Sequence, residues 1–63
     1  MNEPVLYKMI LAYAKERGRA GVTVVEVDDA AGTRGIEAMV DLIMAGRIVL
    51  SGRSRKGVPT YVY

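Results

Sequence analysis

One stretch, from Thr33 to Tyr63, limits the fold more than any other part of the chain. Its apolar residues first recur with the 3.6-residue period of an amphipathic helix, between Ile36 and Met44. Gly46 follows, and glycine commonly ends helices because it adopts a left-handed backbone conformation easily. We expect a helix that is capped by Thr33, ends before this glycine and is followed at once by extended chain.

A β-hairpin is predicted after this helix. Arg47 to Ser51 is rich in β-branched residues, and Val58 to Tyr63 alternates in the manner of a returning strand. The segment between them, Gly52 to Gly57, begins and ends with glycine and contains no apolar side chain. It carries three cations, so the expected product is a hairpin with a basic loop.

A first helix is predicted near the start of the chain. Pro4 suits the first turn of a helix, and apolar residues recur at helical spacing from Val5 to Tyr13. Arg17 in the last turn complements the helix dipole, and Gly18 supplies the stop. This helix should therefore end at about Arg17.

The segment from Val22 to Ala31 has two interpretations. Its valines favour a strand, whereas Thr23 and Glu26 have the spacing of a helix capping box. We interpret Val22 as a short strand, followed by a second helix that ends before a turn at Gly32. With the helix described above, this gives three helices.

Length and composition show that the core needs support. The 63 residues form a single domain, residues 1–63, and a chain this short buries only about 60% of the surface that its unfolded form exposes. It has neither cysteine nor histidine, so disulfides and zinc sites are unavailable as braces. The first helix carries a second apolar stripe, and we expect it to form a homodimer interface through Tyr7, Leu11 and Ala14.

Catalysis and membrane insertion are not expected. Without histidine or cysteine there is no Ser-His relay and no thiolate, and the seven glycines form no phosphate-binding motif. The adjacent Asp28 and Asp29 point about 100° apart on a helix and do not converge on a metal. We therefore predict no enzyme, no cofactor and no metal site. No apolar run approaches the ~18 residues of a membrane span, and the chain begins without a secretion signal, so a cytoplasmic protein is expected.

Charge is distributed unevenly along the chain. Residues 26–41 hold five acidic residues and a single arginine, Arg34, whereas residues 42–63 hold four cations and no acid. A polyanion should therefore be drawn to the hairpin. Cations between glycines can follow a phosphate backbone, and the alternative interpretation of the loop is an ordinary solvated turn.

The order of predicted elements resembles that of the winged helix-turn-helix family along nearly the whole chain. The matching segments are Gly21-Val22-Thr23 before the second helix, Ala31-Gly32-Thr33-Arg34 at the turn, and Ala45-Gly46-Arg47-Ile48 after the third helix. The basic hairpin corresponds to the wing. The resemblance implies an α+β fold of three helices and a C-terminal β-hairpin wing. Residues 36–40 are also similar to small regulators associated with ferrous-iron transport, whose wings commonly carry the cysteines that this chain lacks.

The resemblance implies a small transcriptional regulator that binds double-stranded DNA, with the third helix in the major groove and the wing against the backbone. The candidate DNA contacts are Thr33, Arg34, Glu37, Ala38, Arg53, Arg55 and Lys56. Carboxylates on the third helix oppose phosphate but can accept a hydrogen bond from cytosine, so both roles stay open for Glu37. The alternative function is a winged-helix protein-interaction module that does not bind DNA.

Overall fold

A computed structural model describes residues 3–63 as an α+β fold, in which two helices precede a two-stranded antiparallel hairpin. The first helix ends at Arg17, as predicted, and a short 3₁₀ turn follows it. The elements in chain order are α1 (Glu3–Arg17), the 3₁₀ turn (Gly18–Ala20), α2 (Val24–Met44), β1 (Val49–Arg55) and β2 (Val58–Val62).

Helix α2 is one kinked helix where two separate helices were predicted, so the count of three helices is corrected to two. Only Gly32 leaves the helical region, with φ 66° and ψ −156°, a conformation that residues with a Cβ atom rarely adopt. Because one residue makes the whole bend, no loop separates the two parts. The Thr33 side chain makes no hydrogen bond within residues 3–63, so it does not cap the second part. We call residues 24–31 the N-terminal arm of α2 and residues 33–44 its C-terminal arm.

The two arms of α2 lie against each other at the kink. Gly35 is buried, and a Cβ atom built on it would lie 2.7 Å from the Ala31 Cβ and 3.0 Å from the Val27 Cγ1. A side chain at this position has no room in a close-packed interior. The small glycine therefore lets the arms approach closely.

The start of α2 confirms that the valine-rich segment has a strand residue at Val22 followed by a helix. Thr23 Oγ1 accepts a hydrogen bond from the Glu26 N–H, and Glu26 Oε1 accepts one from the Thr23 N–H, which together form the predicted capping box. Val22 precedes it and pairs with Tyr61 of β2 as a single antiparallel bridge, with both N···O distances 2.8 Å. One residue thus ties the segment between the helices to the hairpin.

The hairpin turn is shorter than predicted. β1 continues to Arg55, and the turn is the two-residue pair Lys56-Gly57, with φ 53° and 80°. Positive φ at both positions is typical of a type I′ turn, which matches the twist of the two strands. The predicted loop, Gly52–Gly57, is therefore mostly strand.

A bulge in β1 accounts for this difference. Leu50 pairs with Tyr61 and Ser54 with Pro59, so the three residues 51–53 face Thr60 alone. The buried Thr60 hydroxyl donates to the Arg53 carbonyl at 3.0 Å and lies 2.5 Å from the Ser51 hydroxyl. These bonds fix the bulge at one position in the strand.

The core lies between α1, both arms of α2 and the hairpin. Its buried apolar residues come from both helices and from the segments on either side of α2, and the partly buried Tyr61 of β2 packs against them. They are Leu6, Ile10, Ala14, Val22, Val27, Ala38, Met39, Leu42 and Ile48.

The predicted dimer stripe on α1 belongs to this core, which corrects that prediction. Ala14 is 0% exposed, Tyr7 and Leu11 pack against the core, and the Tyr7 hydroxyl donates to Asp41 Oδ2 at 2.7 Å. Ala14 therefore cannot contact a second copy, and Tyr7 and Leu11 are half-buried by contacts within the chain, so the stripe is not free to form the predicted interface. Helical periodicity does not show which face of α1 packs against the core, because both stripes are apolar and recur at helical spacing.

Candidate nucleic-acid interface

The C-terminal arm of α2 exposes most of the predicted DNA contacts. Thr33, Arg34 and Glu37 are exposed, and neither charged residue forms an ion pair within residues 3–63. Ala38 is 2% exposed and packs in the core, so the prediction that it contacts DNA is wrong. Three of the four predicted helix residues therefore remain available to a ligand.

The three hairpin cations lie in three different settings. Lys56 occupies the turn and Arg53 occupies the bulge, both with exposed side chains that form no ion pair within the described part of the chain. Arg55 lies at the end of β1 and forms an ion pair with Glu26, with Arg55 Nη1 2.6 Å from Glu26 Oε1. The charge of Arg55 is therefore compensated by an acidic residue that is distant in sequence and folds against the hairpin.

Glu26 is the centre of a polar cluster that joins the helices to the hairpin. We call it the Glu26 cluster, and its members are Tyr13, Arg17, Thr23, Glu26 and Arg55. Glu26 Oε2 accepts hydrogen bonds from the Tyr13 hydroxyl at 2.8 Å and from Arg17 Nη1 at 2.7 Å. Glu26 Oε1 accepts from Arg55 Nη1 at 2.6 Å and from the Thr23 N–H at 3.2 Å. One carboxylate thus binds two guanidinium groups, a phenol and a helix N-terminus.

The surroundings of Glu26 favour its charged form. Burial raises the pKa of the carboxyl, but hydrogen bonds from Tyr13, Arg17 and the Thr23 backbone, with the charge of Arg17, together hold the pKa of Glu26 below its ordinary value. The hydrogen bond to Glu26, then burial and the Glu26 charge, raise the pKa of the Tyr13 phenol, against the opposing effect of Arg17. At neutral pH the cluster holds an ionised Glu26 and a protonated Tyr13.

Arg55 extends the Glu26 cluster to the turn after α1. Its Nη2 donates to the Ala20 carbonyl at 2.8 Å, while its Nη1 remains on Glu26. The guanidinium therefore spans the 3₁₀ turn and the first turn of α2. Together with the Val22–Tyr61 bridge, it fixes the hairpin against the helices at two separate points.

Sequence reasoning recognised only part of the Glu26 cluster. The spacing of Thr23 and Glu26 identified the capping box, and Arg17 was assigned to the end of α1. Nothing local links these residues to Arg55, which lies 29 positions after Glu26. The available signal is that Glu26, the acidic residue of the capping box, comes soon after the basic end of α1 at Arg17. This spacing indicates a polar contact of Glu26 but does not identify Arg55 as a partner.

Apolar side chains also reach the surface near the candidate interface. On the C-terminal arm, Val40 and Met44 are exposed, the latter at 81%, and they follow Glu37 at helical spacing. A groove of about 410 Å³ lies between α1 and the N-terminal arm of α2, with Met9, Ala12 and other small or apolar residues in its lining. Exposed apolar surface of this kind often marks a protein contact.

Among residues 3–63, neither helix combines the length and the apolar character needed to cross a membrane. Models of protein families, curated proteins and solved structures give no match to the chain, so the case for a function rests on the geometry of the described residues.

Proposed function

We propose that this chain is a small winged-helix protein that binds double-stranded DNA and acts as a transcriptional regulator. One observation carries the proposal: a β-hairpin is fixed against the helices by the Val22–Tyr61 bridge and the Arg55–Glu26 ion pair, while Arg53 and Lys56 stay exposed and unpaired within residues 3–63. A basic hairpin with a fixed orientation suits a polyanion of regular shape.

The kink in α2 supports the helix-turn-helix part of the proposal. The bend at Gly32 creates two packed arms from one helix, and the C-terminal arm begins with the exposed Thr33 and Arg34. In helix-turn-helix proteins the N-terminal residues of the second helix contact base edges in the major groove. The C-terminal arm is therefore the recognition helix of the proposal.

Phosphate contacts supply most of the affinity in this mechanism. Arg53 and Lys56 bind the DNA backbone, and Arg34 contacts a phosphate or a base edge. Glu37 lies one helical turn after Arg34, where it either repels phosphate or accepts a hydrogen bond from cytosine. Arg55 contributes indirectly, because its charge is compensated by Glu26 and its main effect is to hold the hairpin.

The second candidate function is a protein-interaction module. The exposed Val40 and Met44 favour it, because they extend the surface of the C-terminal arm beyond its charged start. Apolar anchors at helical spacing are typical of a helix that docks on another polypeptide. A protein that works in this way is indifferent to duplex DNA, which separates it from the first candidate.

We also propose that the chain forms a homodimer, through a surface other than the one predicted. Met9, 47% exposed, and Ala12 lie on the outward face of α1. Lys8 and Glu16 flank Ala12 by four residues on either side, so in an antiparallel pairing about Ala12 each Lys8 lies opposite a Glu16 of the second copy. Charge complementarity therefore favours a two-fold contact between two α1 helices.

Fluorescence anisotropy with a random-sequence duplex at several salt concentrations tests DNA binding. Lys56→Asn removes a charge while keeping a residue that suits the type I′ turn, so the hairpin stays intact. Arg53→Ala removes the second exposed charge. Each change should reduce the magnitude of the salt slope by about 0.9, and both together by about 1.8.

Lys15→Ala is the matched control, because it removes one positive charge from the exposed surface of α1 at a position outside the proposed DNA and dimer contacts. It should leave the salt slope unchanged. Equal slopes for all variants would show that the hairpin is only a solvated turn, and the protein-interaction function would then be favoured.

A further inference from the structure

A shallow cleft of about 370 Å³ lies where the 3₁₀ turn meets the hairpin, and two arginines border it. Arg19 comes from the turn and Arg53 from the bulge of β1, while Leu50, Ser51 and Val62 complete the lining. Among the described residues, no acidic side chain lines this cleft. Two positive charges therefore share one concave surface without compensation.

Both guanidinium groups of the cleft are available to a ligand. Within residues 3–63, neither the Arg19 nor the Arg53 side chain forms an ion pair or a hydrogen bond. The hydroxyl of Ser51 is occupied, because Thr60 donates its own proton to the Arg53 carbonyl and so accepts the proton of Ser51. The Arg53 N–H is also occupied, by Ser51 Oγ at 3.1 Å. Among the side chains that line the cleft, the polar groups left to bind a ligand are the two guanidinium groups.

The two walls of the cleft are held at a fixed separation. Arg55 donates to the carbonyl of Ala20, the residue after Arg19, and is itself two residues from Arg53. The Val22–Tyr61 bridge adds a second connection between the same two segments. The backbone on both sides of the cleft is thus preorganised, and a ligand that binds there has to order only the two arginine side chains.

We propose that this cleft binds one phosphodiester group of the DNA backbone, with Arg19 as a contact additional to those of the hairpin and the C-terminal arm. A planar guanidinium can donate two parallel hydrogen bonds to phosphate oxygens, and two guanidinium groups can together engage both non-bridging oxygens of one phosphodiester. Leu50, 60% exposed, and Val62 offer an apolar floor for the adjoining deoxyribose. A backbone phosphate with its sugar fits this combination better than a free inorganic anion.

The inference rests on the proposed DNA binding, and Arg19→Ala tests it. In anisotropy titrations with a random-sequence duplex, Arg19→Ala should reduce the magnitude of the salt slope by up to about 0.9, so that its affinity loss between 50 mM and 200 mM salt is up to roughly 3.5-fold smaller than that of the wild type. Lys15→Ala is again the matched control, since Lys15 does not line the cleft. Unfolding of each variant should occur at the wild-type temperature, because Arg19 is exposed and unpaired within the described residues.

A heteronuclear NMR titration with a thymidine dinucleotide measures the cleft independently of duplex binding. We expect saturable shifts at Arg19, Leu50 and Arg53 that disappear in the Arg19→Ala and Arg53→Ala double variant. If the wild type binds duplex DNA and Arg19→Ala has the same salt slope, the inference is overturned and the proposed function is left intact. If the wild type does not bind duplex DNA, the proposed function is overturned. The dinucleotide titration then tests whether the cleft binds a phosphodiester, and the absence of saturable shifts would refute that.

Discussion

Replacing Arg55 by alanine should destabilise the fold, whereas replacing Arg53 should not. The two arginines are two residues apart in β1 and have the same charge. Arg55 is bound to Glu26 and to the Ala20 carbonyl, whereas the Arg53 guanidinium has no hydrogen-bond partner within residues 3–63. Nothing in the sequence distinguishes the two arginines. A difference between the unfolding free energies of the two variants therefore measures the contribution of the contacts that Arg55 makes in the fold.

The magnitude follows from the contacts of Arg55. Its side chain is 35% exposed and that of Glu26 is 24% exposed, so solvent screens the ion pair to the range of about 0.2–1 kcal/mol. The hydrogen bond to the Ala20 carbonyl adds about 1 kcal/mol. In the variant, Glu26 keeps Arg17 and Tyr13 as partners, so no charge is left buried alone. We expect Arg55→Ala to lower the free energy of unfolding by about 1–2 kcal/mol.

Urea and thermal denaturation followed by circular dichroism provide the assay. For a domain of this size, each 1 kcal/mol corresponds to a shift in Tm of roughly 4–8 °C. Arg53→Ala should stay within about ±0.5 kcal/mol of the wild type. Glu26→Gln keeps a residue that serves in a capping box but removes the charge, so it completes a double-mutant cycle with Arg55→Ala.

The double-mutant cycle provides the refutation. If Arg55 and Glu26 interact as described, the double variant should lose about 0.5–1 kcal/mol less than the sum of the two single changes. Strictly additive losses would show that the pair contributes nothing. Equal unfolding free energies for Arg53→Ala and Arg55→Ala would refute the claim that Arg55 holds the hairpin in place.

Three further changes test other parts of the structure. The pKa of Glu26 is lowered in the folded state, so the stability that its charge supplies is present above the unfolded pKa of about 4.3 and is lost as the pH falls through the folded pKa. In urea denaturation, the difference in unfolding free energy between the wild type and Glu26→Gln should therefore shrink from pH 7 to pH 3. Gly21→Ala should lower the free energy of unfolding by about 2–4 kcal/mol in the same assay, since φ is 66° there and a Cβ atom would lie 2.8 Å from the Tyr61 carbonyl oxygen; a wild-type Tm would contradict the bridge geometry. Met9→Glu should convert the proposed dimer to a monomer in light scattering, whereas a wild-type protein that is monomeric at micromolar concentration would contradict the dimer itself.

Local signals in the sequence predicted several features of the fold. The end of α1 before Gly18, the capping box of Thr23 and Glu26, and the hairpin all depend on residues close together in the chain. The position of the bend at Gly32 was also predicted, but the sequence does not show that a single glycine can make the bend without a loop. The number of helices was therefore wrong although the turn was in the right place.

Long-range packing decided what the sequence left open. The apolar residues of α1 form two overlapping stripes, and only contact with α2 shows that Ala14 faces inward and Met9 outward. The bulge in β1 moves Arg53 and Arg55 out of the expected loop, and the pairing of Arg55 with Glu26 depends on that register. Arg19 had no motif to mark it, because its role arises from a turn and a strand that meet only in the folded chain.

The measurement that tests the account most directly is the affinity of the wild-type protein for a random-sequence duplex at two salt concentrations. With Arg34, Arg53 and Lys56 as phosphate contacts, the slope should be about −2.7, and the proposed Arg19 contact takes it to at most about −3.6. These slopes correspond to roughly 40-fold to 150-fold weaker binding at 200 mM than at 50 mM salt. Arg55 is not counted, because Glu26 already compensates its charge. No measurable binding at 50 mM salt, or an affinity that does not change with salt, would contradict the claim that a fixed basic hairpin binds DNA.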